Sequence, residues 1–179
     1  PNEITLDDGR KLTAEHIVIA TGSTSRGLDI PGSEYLHSSD DFLELTELPR
    51  RITFIGGGYI SFEFAHVAAR AGAEVTILHR SEKPLVGFDP DMVDVVLEAS
   101  GAAGIQVLLK ESPTAVEADG DFLKLQTSDG KVIETDYIVS AVGRVPNLSI
   151  LDGGMGNVDY NSGGVTVNEF LQSTTNPEV

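Results

Sequence analysis

At 179 residues the chain has room for one sizeable domain, or one domain with part of a neighbour, and its 40% apolar and 22% charged residues are those of an ordinary globular protein. Twelve Lys and Arg against 28 Asp and Glu leave a formal net charge of −16, which argues against nucleic acid or an anionic membrane surface as a partner. With zero Cys the chain holds no disulfide framework and no thiol nucleophile, and no apolar run is long enough to span a bilayer as a helix.

The first patterned stretch runs from Leu6 through the Asp7-Asp8-Gly9 turn to Ile17-Val18-Ile19-Ala20-Thr21-Gly22. Arg51-Ile52-Thr53-Phe54-Ile55 is a β-branched, apolar run suited to a buried parallel strand, and it stops at Gly56-Gly57-Gly58. From Tyr59 to Arg70 the apolar residues Ile60, Phe64, Val67, Ala68 and Ala71 recur at helical spacing, with Gly72 placed for a C-cap. Ala73–Leu78 reads as a second strand, which completes a β-α-β unit. A second helix is signalled by Asp89 as N-cap and Pro90 at its first position, running to Ser100 before Gly101, and Ile105–Leu109 makes a third strand. Asp119-Gly120 and Asp129-Gly130 then punctuate short alternating segments, the pattern of an antiparallel meander that leads into a buried strand over Tyr137–Val142.

The end of that meander repeats the opening stretch at one constant offset: Asp8, Gly9, Ile17, Val18, Ala20 and Gly22 recur as Asp129, Gly130, Ile138, Val139, Ala141 and Gly143. Such matching points to two related domains. The second copy has its own glycine turn upstream at 56–58, and the first has none before it. With Pro1 rather than Met at the start, the expectation is a piece of a longer protein that begins inside a first nucleotide-binding domain.

The glycine turn predicts the chemistry. Gly56 permits the tight exit from the strand, Gly58 lets backbone N–H groups approach a pyrophosphate, and Ser61 is small enough for close helix–strand packing. Gly57, between them, has no evident role. An NAD site places an acidic residue about 20 positions on, to bond the ribose hydroxyls. Here that place holds His79-Arg80. Arg80 can form a charge-assisted bond to a ribose 2′-phosphate worth roughly 1.5–3 kcal/mol, with Lys83 as a second positive charge, so the sequence predicts NADPH over NADH. Glu63 and His66 have the Glu-x-x-His spacing of di-iron bundles without the second copy such a site needs. No metal site is expected. His16 falls at the repeat position filled by Tyr137 and reads as a strand-flanking residue, His37 has no visible partner, and Phe62 and Phe64 read as packing residues.

Several strings in one order resemble the pyridine nucleotide-disulfide oxidoreductases, in particular their glutathione reductase branch. They are Ile19-Ala20-Thr21-Gly22-Ser23, Ile30-Pro31-Gly32, the Gly58-Tyr59-Ile60-Ser61-Phe62-Glu63 string, Ala141-Val142-Gly143-Arg144-Val145-Pro146-Asn147, and Val167–Thr174. The resemblance implies an α/β fold, a Rossmann-type parallel sheet with helices on both faces plus a small antiparallel β-meander. It implies the C-terminal strands of an FAD-binding domain over 1–22, an NAD(P)-binding domain over 23–147, and a return to the FAD domain over 148–179. By the same resemblance Gly56 and Gly58 hold the pyrophosphate. Tyr59 covers the nicotinamide pocket beside Ile60, and Glu63 lies near the nicotinamide. Arg80 matches one of two arginines that bind the 2′-phosphate in NADPH-using members, and Val86 stands at the position of the other. His79, Lys83, Val142 and Gly143 complete the coenzyme site, and Thr21, Gly22 and Arg144 lie at the junction with FAD. The implied parent is a cytoplasmic, homodimeric flavoprotein that passes hydride from NADPH to FAD and electrons on to a small disulfide substrate. Dihydrolipoamide dehydrogenase and mercuric reductase are alternatives within the family, and a dinucleotide-binding module without redox activity is the alternative outside it.

Overall fold

The computed structural model describes residues 2–179; Pro1, the first residue of the predicted 1–22 segment, lies outside the described residues. The chain divides into two compact units, Ser25–Gly143 and the residues up to Thr24 together with Arg144–Val179. In chain order, β1 (Glu3–Thr5) and β2 (Lys11–Thr13) are followed by β3 (Ser23–Ser25), β4 (Leu36–His37), α1 (Ser39–Leu43), β5 (Arg51–Ile55), α2 (Tyr59–Arg70) and β6 (Glu74–His79). Next come α3 (Pro90–Ala102), β7 (Gln106–Leu109), β8 (Pro113–Asp119), β9 (Phe122–Thr127), β10 (Val132–Thr135) and β11 (Tyr137–Ser140). The last strands are β12 (Arg144–Pro146), β13 (Tyr160–Asn161) and β14 (Gly164–Val165).

The larger unit is built on a five-stranded parallel sheet in the order β4-β11-β5-β6-β7, with β8, β9 and β10 as a separate antiparallel sheet. The parallel sheet and the meander are those the sequence implies. The helices, expected on both faces, all lie against one. Phe42 of α1, Phe62, Ala65 and Ala68 of α2 and Val93 of α3 share a cluster with Ile52, Phe54, Val75, Ile77 and Val139. The residues that alternate to the other face, Ile55, Leu78 and Ile138, pack instead with Val116 and Leu125 of the meander. The meander's own apolar face covers that side, which leaves no uncovered apolar surface there for a helix to bury.

Local signals placed the elements to within about two residues, the usual scatter at element ends. Asp89 caps α3 by accepting from the Asp91 N–H at 2.9 Å, with Pro90 in the first turn. That helix runs through Gly101 rather than stopping before it, because Gly104 at φ 80 provides the terminating backbone and the Ile105 N–H reaches the Ser100 carbonyl at 3.0 Å. Gly72 at φ 106 ends α2 as expected. The buried stripe of α2 differs from the predicted one: Ser61, Phe62, Ala65 and Ala68 face the sheet, while Val67 is 61% exposed. Phe64 of the predicted stripe packs against the edge of the cluster, and the small residues Ser61, Ala65 and Ala68 let the helix lie close to the sheet.

Asp136, between β10 and β11, accepts from the Arg51 backbone N–H at 2.9 Å and pairs with the Arg51 guanidinium at 2.5 Å. That side-chain hydrogen bond holds the Asp136 carboxyl below the usual carboxylate range. The His37 ring, without a sequence partner, stacks on Tyr137 at 3.9 Å between centroids. His66 lies within 3.0 Å of the Ser100 hydroxyl, joining α2 to α3.

In the smaller unit β1 and β2 form an antiparallel hairpin around Gly9 at φ 84, the counterpart of Gly130 at φ 76. The counterpart of β11 does not form: residues 16–20 carry no strand among the described residues, and Val18 is 87% exposed. In the larger unit β11 is paired on both edges, by β4 and β5, whereas among the described residues the Ile17 N–H finds only the Glu178 carbonyl. Among the described residues the repeat is visible as the hairpin and its turn.

Candidate dinucleotide-binding site

β5 ends at the centre of the parallel sheet, where its carboxyl end, the first turn of α2 and the carboxyl end of β6 meet. Open α/β sheets bind ligands at such strand ends. A cleft of about 510 Å³ opens there, lined by Gly56, Gly57, Gly58, His79, Arg80, Val142 and Gly143 among others.

The three glycines meet three different demands. Gly56 adopts φ 119, and a Cβ there would stand 2.3 Å from the Ala141 carbonyl oxygen, so the turn admits no larger residue. Gly57 is buried against the loop that follows β6: a Cβ would meet His79 Cγ at 2.6 Å and Pro84 Cβ at 2.9 Å. The sequence reading that gave Gly57 no role is corrected by this contact. Gly58 has the extended φ of −89 that any residue adopts, and a Cβ there would touch no described atom within 4 Å. Its missing side chain matters only for something approaching from outside.

Gly58 is also the N-cap of α2, with no side-chain cap and no acidic residue in the first turn. The partial positive charge and N–H donors of that helix end are left for an anion. Ser61, at the position of the third small residue, is fully buried, which permits the close helix–sheet contact. The cleft thus fits a dinucleotide's pyrophosphate by two features of the chain itself, an uncapped helix end and bare backbone at 56–58.

Arg80, exposed at the end of β6, lines the same cleft, as does Val86, which is 86% exposed. His79, predicted to touch the coenzyme, also lines it, but its Nε2 lies 3.1 Å from the Lys83 carbonyl oxygen. A carbonyl only accepts, so Nε2 is the donor and the ring braces the loop. The Lys83 side chain is exposed on that loop and does not line the cleft, nor do Tyr59 (54% exposed), half-buried Ile60 or exposed Glu63 on the first turns of α2. Thr21, Gly22 and Arg144 belong to the smaller unit. There the Thr21 hydroxyl donates to the Asn147 carbonyl at 2.5 Å, Gly22 accepts from the Asn147 N–H at 3.0 Å, and Arg144 Nε donates to the Ser23 hydroxyl at 2.9 Å.

Residues not foreseen also line the cleft. The Arg26 backbone N–H donates to the Gly143 carbonyl at 2.9 Å, which brings Arg26, Gly27 and Leu28 to its wall. Glu111, which follows β7, is buried there and ion-paired with Lys131. No local pattern announces either contact, because each is made by segments far apart in sequence.

Residues 2–179 match the family of pyridine nucleotide-disulphide oxidoreductases. The chain is 34% identical over 97% of its length to mercuric reductase from Bacillus cereus and 37% identical over 91% to trypanothione reductase from Trypanosoma congolense. It is 35% identical over 95% to glutathione reductase from Nostoc. It spans 28%, 34% and 40% of those relatives. Among solved structures, the HOCl-induced flavoprotein disulfide reductase RclA from Escherichia coli superposes with a TM-score of 0.92 at 25% identity, over 98% of this chain and 41% of that one. An engineered water-forming NADPH oxidase bound to NADPH and the water-forming NADH oxidase from Lactobacillus brevis bound to NADH both reach 0.81, at 25% and 24% identity, over 94% of this chain and 39% of theirs. The chain belongs to the pyridine nucleotide-disulphide oxidoreductase family.

Proposed function

We propose that residues 25–143 bind NADPH in the cleft above β5 and β6, in a parent flavoprotein that uses the coenzyme to reduce a disulfide. The observation that carries this reading is the pairing of the bare, uncapped start of α2 with Arg80, rather than an acid, at the end of β6. Bound there, the coenzyme supplies the hydride that FAD accepts in the parent. The chain's own part is to bind and orient: Gly56 and Gly58 admit the pyrophosphate to backbone donors, and Arg80 pairs with the 2′-phosphate. Tyr59, exposed on the first turn of α2, covers the nicotinamide end beside Ile60, and Glu63 flanks it. By this reading residues up to 22 and from 148 on belong to the FAD domain of a cytoplasmic homodimer of glutathione reductase type, and Thr21, Gly22 and Arg144 lie at the junction with FAD.

Fold similarity does not choose between the two nicotinamide coenzymes, because the NADPH-bound and NADH-bound oxidases resemble this chain equally. Side chains do. The oxidase bound to NADPH is described as a mutant in which two substitutions introduce Arg and one removes Asp. That direction of change favours a phosphorylated ribose, and this chain already has Arg at the strand end.

Competition with 2′,5′-ADP and 5′-AMP, which differ only in the 2′-phosphate, tests the phosphate contact without the nicotinamide. The expected result is tighter binding of 2′,5′-ADP by about 10-fold or more, lost in Arg80→Ala. Equal binding of the two nucleotides would overturn the NADPH assignment. Rapid mixing of the parent with NADPH tests the larger reading, which requires the flavin absorbance to bleach.

A further inference from the structure

The loop from His79 to Leu85 is fastened to the glycine turn at both ends. At its start the His79 ring lies against the Gly57 backbone, in the space a Cβ would take, and Nε2 donates to the Lys83 carbonyl across the loop at 3.1 Å. At its end the Leu85 N–H donates to the Gly57 carbonyl at 2.7 Å, and Pro84 also lies where a Gly57 Cβ would project. Leu85 has φ 53, a left-handed backbone that a leucine rarely adopts, and its side chain is 8% exposed. Such strain persists only where surrounding contacts over-determine it. Arg80 is exposed and carried on this loop. Where the backbone at 80 stands therefore decides what the guanidinium reaches.

We infer that Gly57 and His79 are positioning residues for coenzyme selectivity, clamping the 79–85 loop so that Arg80 faces the 2′-phosphate of a phosphorylated dinucleotide. This rests on the NADPH reading above and assigns His79 a role other than direct contact with the coenzyme. The Nε2–H to Lys83 bond closes the loop, and the absent Cβ at Gly57 gives the ring and Pro84 their seat. Neither residue discriminates between the coenzymes directly; both act through Arg80.

The test is a double-mutant cycle read as the ratio of dissociation constants for NADPH and NADH, measured by nicotinamide fluorescence on this chain. His79→Phe keeps the ring's bulk and removes the donor; it is expected to weaken NADPH about five- to tenfold relative to NADH. His79→Gln, whose amide can donate to the Lys83 carbonyl, should recover most of that loss. Gly57→Ala should raise the same ratio through its clash with His79 and Pro84. In an Arg80→Ala background the His79→Phe change should leave the ratio unaltered. Without any coenzyme, amide hydrogen exchange at Leu85 should speed up in His79→Phe and in Gly57→Ala, with β5 amides unchanged.

Additive effects of His79→Phe and Arg80→Ala, or equal weakening of both coenzymes, would overturn the clamp while leaving the NADPH reading standing. A wild-type chain with no preference for NADPH, and no response to Arg80→Ala, would overturn both.

Discussion

A Cβ on Gly56 would stand 2.3 Å from the Ala141 carbonyl oxygen at a φ of 119, so Gly56→Ala is expected to destabilise the fold by about 2 kcal/mol or more, seen as a lower urea midpoint. Gly58→Ala is expected to behave in the opposite way. Its backbone is extended and its surroundings are open, so the midpoint should move by less than about 0.5 kcal/mol while NADPH affinity falls about 10-fold or more. A Gly58→Ala variant that binds NADPH as tightly as wild type would mean that nothing approaches this backbone. The sequence pattern named both glycines, because turn and approach are local demands. It could not name Gly57, whose partners His79 and Pro84 reach it only through the packing of the loop after β6. Nor could it tell that His79 bonds the Lys83 carbonyl, since a histidine beside an arginine at a strand end reads equally well as a ligand contact.

At the scale of elements, capping and turn chemistry are strong because they are short-range. Asp89 accepts the Asp91 N–H at the start of α3, so Asp89→Ala should cost about 1 kcal/mol, read from the thermal midpoint. The Asp136–Arg51 contact makes a prediction in pH. The Asp136 carboxyl is held below its unfolded value, chiefly by the Arg51 hydrogen bond, so its contribution is fully present above about pH 4 and is lost as pH falls through the lower folded value. Thermal melts from about pH 6 down to about pH 2 should therefore show a smaller acid loss for Asp136→Asn than for wild type; an unchanged loss would remove this pair from the account. What failed at this scale was the direction in which elements face. Of the predicted stripe of α2, Ala68 is buried and Phe64 packs against the core, whereas Val67 and Ala71 are exposed; Ser61, Phe62 and Ala65 complete the buried face. Helices on both sides of the sheet were implied by the family resemblance, whereas here the meander, itself well predicted, covers one face.

At the scale of the whole molecule, the repeat between the opening residues and the end of the meander was legible as sequence, and so was the family. In structure the repeat is visible among the described residues as the hairpin around Gly9 and its counterpart around Gly130. The chain spans 28 to 40% of its curated relatives, and it carries the coenzyme cleft within that span. With a net charge of −16, the general field of the molecule opposes every anion, and the extra phosphate of NADPH most of all. A preference for NADPH therefore has to come from a local cation, and Arg80 at the cleft is the residue placed to supply it. The most direct measurement is a pair of fluorescence titrations, NADPH and NADH, against the wild-type chain and Arg80→Glu. The account predicts tighter NADPH binding by about 10- to 150-fold in wild type, abolished by the substitution; equal affinities in wild type, or an Arg80→Glu chain that still prefers NADPH, would contradict it.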